Sequence, residues 1–207
     1  MKVILVNGSP DRHGCTATAL AEVAAALERE GIETEMFHIG VKPISGCLGC
    51  GRCNDSGRCF IDDCVNDFID RAASADGFVF GSPVYFASAN GAMTAFMDRV
   101  FYAAPREMFF MKPAAAVASA RRAGTTVTLD QLNKYFMITQ MPIVSSQYWN
   151  MVHGNTPDEV RQDLEGLQIM RTLGKNMAYM LRCLEAGRAA GVPLPAREAR
   201  VATNFIR

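Results

Sequence analysis

Four cysteines of this 207-residue chain, Cys47, Cys50, Cys53 and Cys59, follow one another as C-x2-C-x2-C-x5-C. Thiolates are soft ligands, and a CxxCxxC run with a fourth thiol nearby suits an iron–sulfur cubane, each iron of which needs one sulfur ligand. Gly46, Gly49, Gly51 and Gly57 allow the chain to wrap tightly around such a group. Other chemistry stays open for the same residues. Four thiolates can hold zinc, although three thiols spaced by only two residues are less usual there. A dithiol–disulfide pair is a further option, with Cys64 as resolving partner, and so are free thiols in an irregular loop.

A second stretch offers different chemistry. Val3-Ile4-Leu5-Val6 is an apolar run suited to a central strand covered on both faces. Asn7-Gly8-Ser9-Pro10-Asp11-Arg12-His13-Gly14-Cys15-Thr16 then forms a loop ahead of a helical pattern. Unpaired N–H groups and the positive end of the helix dipole converge at such a loop, which makes an anion site suited to a phosphate. Ser9 and Thr16 add hydroxyl donors, and Gly8 and Gly14 let the backbone come close to a ligand. Neither GxGxxG nor GxxxxGK[ST] is present.

Alternating elements must position these groups. Thr18 to Glu30 reads as a helix with Leu20, Val23 and Leu27 on one face, stopped by Gly31. Ile32 to Ile39 alternates like an edge strand. Residues 40–63 form a long connection of the kind that is functional or tied down. Val65 to Ala73 is a short helix. Gly77 to Phe80 is a buried strand leading into a loop at 81–86, and Met93, Phe96, Met97 and Val100 form the stripe of the next helix. Ala114 to Ala118 is a strand of small residues leading into a loop at 119–126, Leu129 to Ile138 is helical, and Pro142-Ile143-Val144 starts a short last strand. Thr156-Pro157-Asp158-Glu159 is a capping box opening one final helix that ends at Gly187. Gly166 and Gly174 mark a close approach to that helix by a neighbour, another subunit included. Cys183 on it reads as a core or interface residue. The tail from Val192 to Arg207 reads as an arm on a partner chain.

Five alternations of strand and helix predict a parallel sheet with helices on both faces, in one domain spanning 1–207. The cysteine-rich loop occupies 40–64, and the C-terminal helix and arm 156–207. Ligands bind such sheets beyond the carboxyl ends of the strands, so the loops 8–16, 81–86 and 119–126 are expected to meet there. Lys plus Arg equals Asp plus Glu at 21 each. With no basic block, neither nucleic acid nor an anionic membrane surface is an expected partner. The four-residue apolar run near the N-terminus is too short for a signal peptide, and the chain reads as cytoplasmic.

Two of the stretches together carry a family likeness. Asn7-Gly8-Ser9-Pro10 through Gly14-Cys15-Thr16 resembles the phosphate loop of the NADPH-dependent FMN reductase family. Gly81-Ser82-Pro83-Val84-Tyr85-Phe86, with Gly91 and Phe96-Met97-Asp98-Arg99 downstream, resembles its flavin loop and following helix. The cysteine array resembles that of the iron–sulfur flavoproteins, a branch of the same family. The resemblance implies a flavodoxin-like, doubly wound five-stranded parallel sheet of order 2-1-3-4-5, binding FMN without covalent attachment. It implies that Ser9, Gly14, Cys15 and Thr16 hold the FMN phosphate, with Arg12 as the nearby cation. It implies that Pro83, Val84, Tyr85 and Phe86 line the ring, and that Ser119, Ala120, Arg122 and Gly124 contact its pyrimidine side. It implies that Cys47, Cys50, Cys53 and Cys59 hold a 4Fe–4S cluster. The chain departs from the family pattern at Asp11, at Cys15 and at Arg122-Ala123-Gly124.

The expected function is thus that of an FMN-dependent oxidoreductase, with NAD(P)H or ferredoxin as electron donor and a small molecule as acceptor. The resemblance also implies a homodimer or homotetramer. A flavin electron carrier without its own substrate, and a thiol or zinc module, are the alternatives. Tyr148-Trp149-Asn150 with His153 follows the last strand, where it has a site or dimer role or simply packs.

Overall fold

The computed structural model of the protein describes residues 1–199 and 201–203. The apolar runs become the inner strands of a single sheet. Strands β1 (Lys2–Asn7), β2 (Glu33–His38), β3 (Gly77–Tyr85), β5 (Ala114–Ala120) and β6 (Met151–His153) lie in the order β2-β1-β3-β5-β6. All four pairings along that path are parallel. Counted along the parallel strands alone, this is the order 2-1-3-4-5. A two-residue strand β4 (Ser88–Ala89) pairs antiparallel with the end of β3.

Alternation along the strands divides the core in two. Ile4, Val6, Phe78, Phe80, Ala114 and Ala116 face one side, under α3 (Cys64–Ala72), α4 (Gly91–Ala103) and α5 (Thr125–Ile138). Val3, Leu5, Val79 and Val117 face the other, under α1 (Cys15–Arg29) and α7 (Leu164–Ala189). The first side is aromatic. Phe68 sits with its ring centroid 5.3–6.1 Å from those of Phe37, Phe78, Phe80 and Phe96. The alanines of β5 leave room for these rings.

Several boundaries differ from the sequence reading, each for a local reason. Helix α1 starts at Cys15 rather than Thr18, because extended Gly14 already serves as its N-cap. Residues 81–85 belong to β3 rather than to a loop. The fifth parallel strand is broken. Ile143 makes only an isolated parallel bridge to Ala114, residues 145–150 leave the sheet, and pairing resumes at Met151. Asn150 closes this excursion, donating from Nδ2 to Val144 C=O at 3.4 Å and accepting from Ser146 Oγ at 2.8 Å.

The final helix is two helices. The capping box holds, with Thr156 Oγ1 accepting from Glu159 N at 3.2 Å, but α6 (Pro157–Gln162) stops at once. Asp163 then caps α7 by accepting from Gly166 N at 2.9 Å, and α7 runs past Gly187 to Ala189. Gly166 is therefore small for Asp163, its own cap, whose carboxylate a Cβ would strike. Gly174 does mark a close approach, but to α1 of the same chain. A Cβ there would lie 2.6 Å from Ala26 Cβ and 2.8 Å from Val23 O. Cys183 is exposed rather than in the core. The described part of the tail folds back on its own chain, with Arg197 Nη1 2.8 Å from Glu107 Oε1; residues 200 and 204–207 of the arm lie outside the described residues.

Candidate functional site

The three strand exits do converge. Gly8 N–H donates to Gly81 C=O at 2.8 Å, tying the first loop to the end of β3. Thr16 Oγ1 and Ser119 Oγ share a buried hydrogen bond of 2.7 Å, tying α1 to the end of β5. Pro83 and Ser119 are partners in the sheet register. Gly8 has to be glycine here, since a Cβ would fall 2.7 Å from Met93 Sδ and 2.9 Å from Gly81 O. Gly124, at φ +92°, would place a Cβ 2.5 Å from Ala87 Cα, so the third loop presses directly on the turn after β3.

The first loop is organised by its own side chains. Asn7 Oδ1 accepts from Ser9 N at 3.0 Å, Ser9 Oγ from Asp11 N at 3.1 Å, and Asp11 Oδ1 from His13 N at 2.9 Å. His38 Nε2 donates to Ser9 C=O at 2.8 Å from the neighbouring strand. No side chain caps α1, so its first-turn N–H groups point to the rim as donors for an anion. Ser9 is buried and keeps a hydroxyl proton to donate, while Arg12 and Arg122 are exposed. The Thr16 hydroxyl turns inward to Ser119, which leaves its amide for the rim. Cys15 Sγ sits 3.6 Å from Gly154 O, and burial pushes its thiol pKa up.

The stretch 83–90 is a hairpin. Phe86 and Ala87 turn it with φ of +51° and +59°, the conformation that a two-residue turn usually reserves for Asn-Gly. Non-glycine residues there cost of order 1–3 kcal/mol each. The cost is met from both sides. Gln131 Oε1 accepts from Ser88 Oγ at 2.6 Å and Ala89 N at 3.1 Å. Asn90 donates from its amide to Ser82 Oγ at 3.1 Å and from Nδ2 to Gly8 C=O at 2.7 Å, and its Oδ1 caps α4 by accepting from Met93 N at 2.7 Å. The turn so held presents Tyr85 and Phe86 to solvent at the rim, and Val84 lies beneath against Gly124.

The cysteine site lies at the far end of α4. Cys47, Cys50, Cys53 and Cys59 line one concavity with Arg99 and Tyr102. Cys47 and Cys50 are exposed, Cys59 is half-buried, and Cys53 is buried at the start of the one-turn helix α2 (Cys53–Ser56). Burial raises the pKa of the Cys53 thiol, and the neighbouring Cys50, Cys59 and Cys47 raise it further. Among the described residues no three His, Cys, Asp or Glu side chains are close enough to share a single metal ion. All seven cysteines are free thiols. Burial, with Asp63 next in effect, pushes Cys64 up to about 11.

Arg99 is the buried cation of this region, 1% exposed. Its Nε donates to Cys59 Sγ at 3.2 Å, and Nη1 and Nη2 grip Asp63 bidentately at 2.7 and 2.9 Å. Burial works against its charge, but Asp63 and Cys59 outweigh that and raise its pKa. Asn66 holds the backbone of Cys59, accepting from its N–H at 2.8 Å and donating to its C=O at 3.0 Å. Asn66, Asn90 and Gln131 are absent from any reading of the sequence as site residues. Asn90 could have been found, since Asn followed three residues later by the first apolar stripe residue is an N-cap pattern. Asn66 and Gln131 act across the fold and carry no local signal.

The family model described as NADPH-dependent FMN reductase matches residues 1–156. An iron-sulfur flavoprotein of Methanocaldococcus jannaschii is 32% identical over 195 residues, spanning 89% of this chain and 100% of the relative. The chain belongs to the NADPH-dependent FMN reductase family, in its iron–sulfur flavoprotein branch. A second such flavoprotein, from Archaeoglobus fulgidus, is 29% identical over 196 residues, with 88% of this chain and 98% of the relative covered. Among solved structures, a flavodoxin from the domain Archaea aligns at a TM-score of 0.58 and 15% identity, covering 88% of this chain and 99% of that one, which speaks to the fold. The family is one of flavin-dependent oxidoreductases. Its matched segment ends where α6 begins, so the rim and the cysteine site both fall within it. Among the described residues no helix is long and apolar enough to cross a membrane.

Proposed function

We propose that the protein binds FMN at the rim and a 4Fe–4S cluster at Cys47, Cys50, Cys53 and Cys59, and moves electrons between a reduced donor and a small acceptor. The observation that carries the flavin half is the meeting of three strand exits beside an uncapped helix N-terminus, with Gly8 and Gly124 admitting close backbone contact. The first-turn amides of α1, the Ser9 hydroxyl and Arg12 would hold the phosphate. The hairpin residues Pro83 to Phe86 would flank the ring, and Ser119, Ala120, Arg122 and Gly124 would bound its other edge. For the cluster half, the support is the donor set, four thiols around one concavity with a buried cation beside them. Bound flavin supplies two-electron chemistry, and a cluster supplies single electrons. The chain's own residues fix where these groups sit and what reaches them.

NAD(P)H or ferredoxin would be the donor. A homodimer or homotetramer would cover the exposed Tyr85 and Phe86 of the rim and complete the ring site. The test is anaerobic purification followed by a visible spectrum and assays of FMN, iron and sulfide. Flavin bands with about four irons per chain are expected for a cubane. Turnover of a small quinone with NADPH or NADH supports the enzyme, and exchange with reduced ferredoxin alone supports an electron carrier. Colourless protein that takes up no FMN in a titration overturns the reading.

A further inference from the structure

We propose that Arg99 is the positioning residue of the cysteine site, presetting Cys59 as its fixed ligand and raising the reduction potential of the group bound there. The second half rests on the cluster reading above; the first does not.

The argument begins with where the guanidinium's donors go. Nε serves Cys59 Sγ, Nη1 serves Asp63, and Nη2 serves both Asp63 and the Ile61 carbonyl at 2.9 Å. Every partner lies in the five-residue stretch from Cys59 to Asp63, which is thereby wrapped around one buried cation. The far end of that stretch is secured as well, because Asp63 Oδ1 accepts from Val65 N at 3.1 Å and caps α3. With Asn66 on both backbone groups of Cys59, the thiol is aimed by two helices before any metal arrives. Cys47 and Cys50 have no comparable support. They are exposed and lie in residues 41–52, where there is no helix or strand. The four thiols are therefore an anchored Cys59, a Cys53 buried at the start of α2, and two thiols on exposed irregular chain.

The electronic consequence follows from the type of donor. An N–H···S bond to a ligating sulfur withdraws charge, and a cationic donor withdraws more than a neutral one. Reduction adds negative charge to the cluster, so a buried cation at one sulfur stabilises the reduced form and raises the potential. Arg99 lies well away from the rim. It stands on the same helix that Asn90 caps at the flavin hairpin, about 13 Å away along the axis at ~1.5 Å per residue.

The experiment compares the wild-type chain with Arg99→Lys and Arg99→Gln. In metal-free protein, hydrogen exchange of residues 59–66 should quicken in Arg99→Gln, while exchange of residues 8–16 stays as in the wild type. In anaerobically loaded protein, the cluster midpoint of Arg99→Gln should fall by about 59 mV, a tenfold shift for a one-electron couple. The flavin midpoint serves as internal control, and Arg99→Lys, which keeps the charge, should recover most of the shift. If Arg99→Gln fails to fold, Arg99→Gln is combined with Asp63→Asn and compared with Asp63→Asn alone, so that the difference in exchange and in midpoint reports the arginine and not the loss of its partner's charge. Unchanged exchange in the glutamine variant overturns the positioning role. An unchanged midpoint, or a lowered one that lysine does not restore, overturns the charge assignment. Wild-type protein that binds FMN but no iron refutes the cluster reading and with it the effect on potential, while the exchange result still decides the positioning role.

Discussion

The flavin rim and the cysteine site stand at opposite ends of α4 and are built by different means. The rim inherits its geometry from the sheet. Its three loops leave adjacent strands whose register is fixed, and buried polar groups then lock them to one another through Asn90, Ser82 and the Thr16–Ser119 pair. The cysteine site has no sheet beneath it. Its geometry comes from one buried arginine, one asparagine and a single helical turn, and half of its thiols lie in irregular exposed chain. A site formed by strand ends can be complete before its ligand arrives. A site formed by a loop of glycines and thiols is completed by what it binds, since metal–ligand bonds supply the ordering free energy that a core would otherwise give.

Substitutions at the two places should therefore behave differently. Asn90→Ala should have the largest effect. It removes the cap of α4, worth about 1 kcal/mol, and orphans the buried Gly8 carbonyl at about 1–3 kcal/mol more. A loss of roughly 2–4 kcal/mol in urea unfolding is expected, together with weaker FMN binding; unchanged stability would mean that the rim does not depend on this residue. Asn66→Ala comes next. Losing both backbone contacts of Cys59 should cost about 1–3 kcal/mol, seen as faster hydrogen exchange at 59–63, with FMN affinity as in the wild type. An equal loss of FMN affinity would show that the two regions are not independent.

Smaller effects sharpen the contrast. Arg12→Ala should weaken FMN binding about tenfold, or ~1.4 kcal/mol, with a reduced salt dependence, because an exposed cation acts on the phosphate through screened charge. Riboflavin, which lacks the phosphate, should bind both proteins alike. Cys47→Ser with Cys50→Ser should change metal-free stability by no more than about 0.5 kcal/mol, as surface substitutions do, yet abolish iron uptake. A large destabilisation of the metal-free protein would mean that the loop is already packed.

The sequence by itself determined the pattern of layers. The apolar runs at 3–6 and 77–80 and the small run at 114–118 could only be inner strands, and the loops after them had to share one edge because parallel strands point the same way. The four-thiol array was equally plain, since ligand spacing is a local property. What only the tertiary structure decided were features in which distant residues compete for the same backbone. The hairpin at 83–90 has no turn signature, because Gln131 and Asn90 hold Phe86 and Ala87 in a conformation that their own side chains disfavour. The fifth strand breaks at Val144 and resumes at Met151, because the buried Asn150 closes the excursion between them. Arg99 reads in sequence as one charge beside an apolar stripe, and becomes the anchor of Cys59 only because the fold brings the segment 59–63 over it. Periodicity records which face of an element is buried, whereas a buried polar contact depends on which two segments meet, and that is settled only when the whole chain packs.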